Sequence, residues 1–176
     1  MLNKLYFFLR IYIMKRSHSY NSDMNYTFDR KIIRICIIGA GRAGSFHVNS
    51  LSINKQYELL YVIDKDETKA IKLAERAQCK FNSDLDWVLN NIDFDAVIIA
   101  TTTPTHYELT MKCLTHNKHV FCEKPLGKTE DEITNCFKLA NSNNLKLLIA
   151  YQKRFDKNYS KLIELLKNKY PGKSFL

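Results

Sequence analysis

Three observations predict an α/β fold built on a doubly wound parallel sheet. Short apolar runs of strand length recur along the chain, single amphipathic helical patterns separate them, and a glycine-rich turn follows the first run directly. Strands separated by single helices need crossover connections, which are right-handed and leave the sheet parallel and covered on both faces. A chain of 176 residues can bury such a core, and 45% hydrophobic against 26% charged residues is an ordinary globular composition.

Residues 32–38 (IIRICII) are the first expected strand, ending at Gly39, with Arg34 near its start and within reach of water. A helix is expected from about Arg42. Residues 59–63 (LLYVI) form the second strand, ending at Asp64, after which Ala70, Leu73, Ala74 and Ala77 share one helical face. Leu85, Val88, Leu89 and Ile92 repeat that spacing in a short helix with Ser83 as the expected N-cap. Residues 96–100 (AVIIA) are the next buried strand, Tyr107, Thr110, Met111 and Leu114 line the helix after it, and residues 119–122 (HVFC) form another strand. Thr129 and Glu132 match a capping box, in which each side chain satisfies the other's free backbone donor. Ile133, Cys136, Phe137 and Ala140 follow at helical spacing, residues 145–150 (LKLLIA) give one more strand, and Tyr159, Leu162, Ile163, Leu166 and Tyr170 make a final amphipathic helix. No internal repeat or low-complexity tract interrupts this order.

The net charge of +9 raises the question of a nucleic-acid partner. Residues 1–31 carry six Lys and Arg against two Asp, and the remaining excess is spread as lysines between acids. Scattered lysines make a solvated face, and no basic stripe interleaves with aromatic residues, so no nucleic-acid groove is expected. Residues 5–14 (LYFFLRIYIM) are apolar but too short to span a bilayer, so no membrane partner is expected either. The extension 1–31 reads as a leader before a start at Met24, or as a weak mitochondrial-type presequence. Cys36, Cys79, Cys113, Cys122 and Cys136 are odd in number and show no C-x-x-C pair. That argues against a disulfide framework or a structural metal site, and for a reducing, cytoplasmic setting in which most of them act as small buried apolar residues.

Gly39-Ala40-Gly41-Arg42-Ala43-Gly44 fits G-x-G-x-x-G between an apolar strand and a helix, the context of a dinucleotide-binding (Rossmann) turn. Gly39 permits the tight turn, Gly41 lets the backbone approach a pyrophosphate, and Gly44 lets the helix pack close to the strand. Asp64, twenty residues past Gly44, ends the second strand, where a carboxylate accepts the adenosine ribose hydroxyls and repels a 2′-phosphate. NAD is therefore favoured over NADP, with Lys65 leaving dual use open.

Three further segments join this turn: Ala100-Thr-Thr-Thr-Pro-Thr-His106, Val120-Phe-Cys-Glu-Lys-Pro-Leu126 and Tyr151-Gln-Lys-Arg-Phe-Asp156. Together they resemble the glucose-fructose oxidoreductase/inositol dehydrogenase/rhizopine catabolism (Gfo/Idh/MocA) family, and look closest to its inositol 2-dehydrogenase-like members. The resemblance implies a Rossmann domain over residues 32–150 and, from 151 to 176, the start of a second α+β substrate domain. It implies a hydride-transferring oxidoreductase acting on a sugar or cyclitol secondary alcohol, homo-oligomeric in full-length relatives. Thr101, Thr102 and Pro104 would flank the nicotinamide and its ribose. For His106 a cofactor contact and a helix-capping or surface role are both open. Lys124 would stand beside the nicotinamide, desolvated, to hydrogen-bond the substrate hydroxyl, often on a cis peptide to Pro125; Glu123 would orient Lys124 or bind ribose. Arg154 would join the substrate wall. The family's acid/base histidine, in an Asp-x-x-x-His segment of the second domain, has no counterpart after Lys124, and all five histidines precede Glu123. Two readings follow: the nucleotide-binding part of a dehydrogenase, or a non-catalytic NAD-binding or partner-binding module.

Overall fold

The computed structural model describes residues 32–151 and 156–169. Six parallel strands run β1 (Ile33–Ile38), β2 (Tyr57–Ile63), β3 (Lys80–Asn82), β4 (Ala96–Ile99), β5 (His119–Cys122) and β6 (Leu147–Ile149), in the sheet order β3-β2-β1-β4-β5-β6. Helices α1 (Arg42–Leu51), α2 (Glu67–Ala77), α3 (Leu85–Asn91), α4 (His106–Thr115) and α5 (Glu130–Ser142) alternate with them, as the hydrophobic pattern predicts. The order reverses direction between β1 and β4, which opens a crevice at the carboxyl edge of the sheet.

The central strands are buried on both faces. Cys36, Ile38, Val97, Ile99, Val120 and Cys122, alternate residues of β1, β4 and β5, pack in one cluster with Cys113, Leu114, Cys136 and Ala140 of α4 and α5. Ile35, Ile37 and Ile98, at the intervening positions, are also at most 1% exposed, and each such side chain contributes ~1.5–3 kcal/mol by leaving water. All five cysteines are free thiols and four are buried; burial pushes the Cys36, Cys113 and Cys122 thiols up to about 12, so they stay protonated and unreactive. Arg34 reaches the surface to pair with Asp93 at 2.9 Å and Asp95 at 3.5 Å.

Local details depart from the sequence pattern in three places. The short edge strand β3 was not expected, because KFN carries too few apolar residues to announce itself. The N-cap of α3 is Asp84, whose Oδ1 accepts from the Asp86 and Trp87 amides at 2.8 and 3.1 Å, and not Ser83. Ser83 instead donates to Glu67 at the start of α2, a partner that no local pattern contains. In the capping box Thr129 accepts from the Glu132 amide as expected, but Glu132 reaches one residue further back and accepts from the Lys128 amide at 2.6 Å.

The chain divides into two compact units between Ala150 and Tyr151. In the second, α6 (Lys157–Lys169) leaves Tyr159, Leu162, Leu165 and Leu166 between 42% and 57% exposed. Its expected partner residue Tyr170, and the extension 1–31, lie outside the described residues. Among the described residues no helix is long and apolar enough to cross a membrane.

His119 gives the fold a pH dependence. Its Nδ1 accepts from the Lys146 amide at 3.0 Å, joining the start of β5 to the approach of β6. Burial first, then the charge of Lys146, hold its pKa below the ordinary 6.5, against a smaller pull from Asp95. A depressed histidine contributes stability that is present above 6.5 and lost as pH falls through its folded value. The melting temperature of the parent should therefore exceed that of His119→Leu by a margin that shrinks between about pH 8 and about pH 5. A constant margin across that range would assign the difference to packing alone.

Candidate cofactor site

Parallel register brings the expected site residues to one edge. The residue after each strand donates its amide to the last carbonyl of the neighbouring strand: Gly39 to Ile63, Ala100 to Ile38, Glu123 to Ile99 and Ala150 to Cys122, all at 2.8–2.9 Å. Gly39, Asp64, Thr101 and Glu123 thus stand in one row at the carboxyl ends of β1, β2, β4 and β5.

The glycine turn has different physical reasons at each glycine. Gly39 has φ +105°, and a Cβ there would lie 2.5 Å from the Ala100 carbonyl oxygen. A Cβ on Gly44 would drive into the carbonyl oxygen of Gly39, so only glycine lets α1 approach β1 this closely. Gly41 is the opposite case: a Cβ there would meet nothing within 4 Å. That open volume lies at the mouth of α1, for which Gly41 is the N-cap and provides no side-chain cap. Helices α2, α3 and α5 are capped by Asp66, Asp84 and Thr129. The first amides of α1, those of Arg42, Ala43 and Gly44, have no intrahelical acceptor, and its first turn carries no acid. These donors and the space above Gly41 fit the pyrophosphate of a dinucleotide.

Asp64 is fixed beside that turn. Its Oδ2 accepts from the Ala40 amide at 2.7 Å and its Oδ1 from the Asp66 amide at 2.9 Å. Each carboxylate oxygen keeps a lone pair for a ribose hydroxyl. The Ala40 amide, by contrast, is committed to Asp64 and unavailable to a phosphate.

Thr101 and Thr105 form the wall after β4. The single Thr105 hydroxyl proton goes to the Thr102 carbonyl at 2.9 Å, so the 2.8 Å contact between the two hydroxyls is donated by Thr101. Thr102 and Pro104 are exposed on a 3-10 turn, Thr103–Thr105. His106 follows as the C-cap of that turn and the first residue of α4, and it is not a surface residue. It is 1% exposed, with Nδ1 2.7 Å from the Pro125 carbonyl and Nε2 3.1 Å from the Thr101 carbonyl. The ring thus lies between two walls of the crevice, and a neutral imidazole, with one N–H, donates to one of the two carbonyls.

The Lys124–Pro125 peptide is cis. Lys124 itself is exposed, so the desolvation expected for it is not supplied by this domain. Glu123 is half-buried and bonded to a residue of no motif: its Oε1 accepts from His47 Nε2 at 2.9 Å. Burial pushes the Glu123 carboxyl up, but the hydrogen bond and attraction of His47, then the amide and charge of Lys124, hold it below the ordinary carboxylate value. His47 lies outside the glycine turn and outside every motif segment of the sequence. The available signal was its place on α1, where Gly44, His47, Val48 and Leu51 form one buried face at i, i+3, i+4 and i+7. Arg42 and Ala43 open α1 at the turn, while Arg154 lies outside the described residues. Among the described residues no group of three or more His, Cys, Asp or Glu is placed to hold a metal ion.

Residues 33–151 match the oxidoreductase family with an NAD-binding Rossmann fold. The chain is 31% identical over 142 residues to myo-inositol 2-dehydrogenase of Thermotoga maritima, covering 80% of this chain and 42% of that protein. It is 31% identical to inositol 2-dehydrogenase of Rhizobium meliloti over 72% of this chain and 38% of that one. Its structure superimposes on scyllo-inositol dehydrogenase of Lactobacillus casei, solved with bound NAD(H) and scyllo-inositol, with a TM-score of 0.73 and 26% identity over 81% of this chain and 43% of that one. The chain thus spans about two fifths of the length of these relatives.

Two substitutions separate folding from binding at the turn. Gly44→Ala should cost roughly 1–3 kcal/mol or more in urea unfolding, because the obstructing atom is main chain. Gly41→Ala should unfold like the parent, within ~0.5 kcal/mol, and yet bind NADH about tenfold more weakly by calorimetry. Equal NADH binding by parent and Gly41→Ala would remove the pyrophosphate from this position.

Proposed function

The chain belongs to the Gfo/Idh/MocA oxidoreductase family, and from that premise we propose that it is the nucleotide-binding part of an NAD-dependent dehydrogenase acting on a sugar or cyclitol alcohol. The observation that carries this reading is the uncapped mouth of α1 beneath the open space at Gly41, with Asp64 pinned to the same turn. Cofactor-binding roles are assigned to Gly39, Gly41, Arg42, Ala43, Gly44 and Asp64 on the adenosine and phosphate side. Thr101, Thr102, Pro104 and Glu123 line the nicotinamide side, where His106 acts by joining the Thr101 and Pro125 walls. When bound, NAD supplies the hydride acceptor. Asp64 favours NAD over NADP because a 2′-phosphate would meet its carboxylate.

Lys124 is the catalytic residue of this reading. An ammonium donates to the substrate oxygen and stabilises the negative charge that grows there as the hydroxyl proton passes to a base; that charge flows into the new carbonyl as hydride leaves the carbon. Exposed in this domain, Lys124 needs a second wall to exclude water, consistent with the relatives' greater length. For Arg154 the proposed role is a substrate contact. An inositol-like polyol is the favoured substrate class, supported by the relatives named for inositol oxidation. Unpaired thiols support a reducing compartment, the cytoplasm.

Calorimetry should give NADH binding by this chain with NADPH at least tenfold weaker. Equal binding of both would remove the role given to Asp64, and binding of neither would sink the dinucleotide reading. Lys124→Ala should leave the NADH affinity within about twofold. In any active form carrying this domain it should lower turnover of inositols by ~10²–10⁴. Normal turnover by that variant would take the catalytic role from Lys124.

A further inference from the structure

His47 is 2% exposed, and its two nitrogens are in unequal positions. Nε2 faces Glu123 Oε1 at 2.9 Å. A carboxylate oxygen only accepts, so Nε2 carries the hydrogen and donates. Nδ1 is buried and has no hydrogen-bond partner among the described residues. Around the ring, Phe46 and Phe121 stand edge-on, with centroids 5.9 and 5.5 Å away. An apolar side chain would fill this place on the buried face of α1 without leaving a polar atom unsatisfied, which is a net cost to folding. Among the described residues the one hydrogen bond that offsets the cost is that to Glu123. That bond joins the helix of the glycine turn to the segment bearing Lys124, across 76 residues of sequence.

The effect on Glu123 is directional. With Oε1 taken by His47, Oε2 has, among the described residues, only a long 3.4 Å contact from the Lys124 amide. It is the carboxylate oxygen with lone pairs to spare. We propose that His47 is a positioning residue that holds Glu123 so that Oε2 accepts from a hydroxyl of the dinucleotide's nicotinamide-side ribose. This rests on the dinucleotide reading above and adds to it a residue outside the glycine turn and the Glu-Lys-Pro segment. His47 touches no ligand itself.

The test uses this chain with two probes, NADH and ADP. ADP fills the adenosine and phosphate side and lacks the second ribose. His47→Leu should weaken NADH about tenfold and leave ADP within twofold, the loss expected for one misdirected charge-assisted hydrogen bond. His47→Gln, whose amide nitrogen can reach the place of Nε2, should recover most of the NADH affinity. Glu123→Gln should lose NADH affinity to a similar degree, and combining it with His47→Leu should add little further loss. Equal losses for NADH and ADP, or no recovery in His47→Gln, would make His47 a packing residue and overturn the proposal. Should His47→Leu fail to fold, Glu123→Gln decides: parent-like NADH binding there overturns the proposal as well. A parent that binds ADP and NADH, with variants indistinguishable from it, sinks this inference and leaves the dinucleotide reading standing. A parent that binds neither probe removes both.

Discussion

The meeting of α1 with β1 governs the rest of the molecule. Gly44 lies so close to the Gly39 carbonyl that no Cβ fits, and a Cβ on Gly39 would in turn collide with the Ala100 carbonyl. Two side-chain-free contacts therefore set the depth of the helix in the crevice between β1 and β4. Were α1 farther out, its free amides would point into water over a gap, and His47 would not reach Glu123. The apolar sheet beneath gives rigidity, because Cys36, Ile37, Val97 and Ile99 are fully buried and leave β1 and β4 no room to slide. Position is thus set by what is missing at two residues, and held by what is packed below them.

The same edge carries electrostatics of two kinds. At α1 the charge is partial and comes from unpaired backbone amides, suited to a ligand that brings its own negative charge. Around it, side chains are tied to backbone before any ligand arrives: Asp64 by two amides, His106 between two carbonyls, Thr101 through Thr105. Groups held in this way lose little freedom on binding, which is how a modest number of contacts gives useful affinity. Lys124 is exposed, and among the described residues no bond restrains its ammonium, in keeping with a role completed only when a second surface covers it.

Much of this was legible in the residues. The runs at β1, β4 and β5 are apolar except for Arg34 and His119 near the entry ends, because both faces are buried, so the pattern could hardly be mistaken. The glycine spacing located the turn, and Asp64 fell where β2 ends. What was hidden depends on pairing over distance. β3 is three residues long and is a strand only because β2 lies beside it. Ser83 looked like a cap until Glu67, sixteen positions earlier, took its hydroxyl. Glu123 and His47 are chemically unremarkable apart, and only the crossover between β1 and β4 brings them together. Periodicity reports which face a side chain uses; it does not report what waits on the other side.

The outermost strands have a consequence for how copies of this domain treat one another. β3 and β6 are each three residues long, the shortest in the sheet, and β3 begins with an exposed lysine. A free strand edge is a template on which another chain can add by main-chain bonding, and its danger grows with length and flatness. Ending the sheet in stubs leaves an intruding chain only a few rungs to grip, and at β3 it must also bury a charge. The domain can therefore keep a long, greasy, well-ordered centre without inviting runaway stacking at its margins.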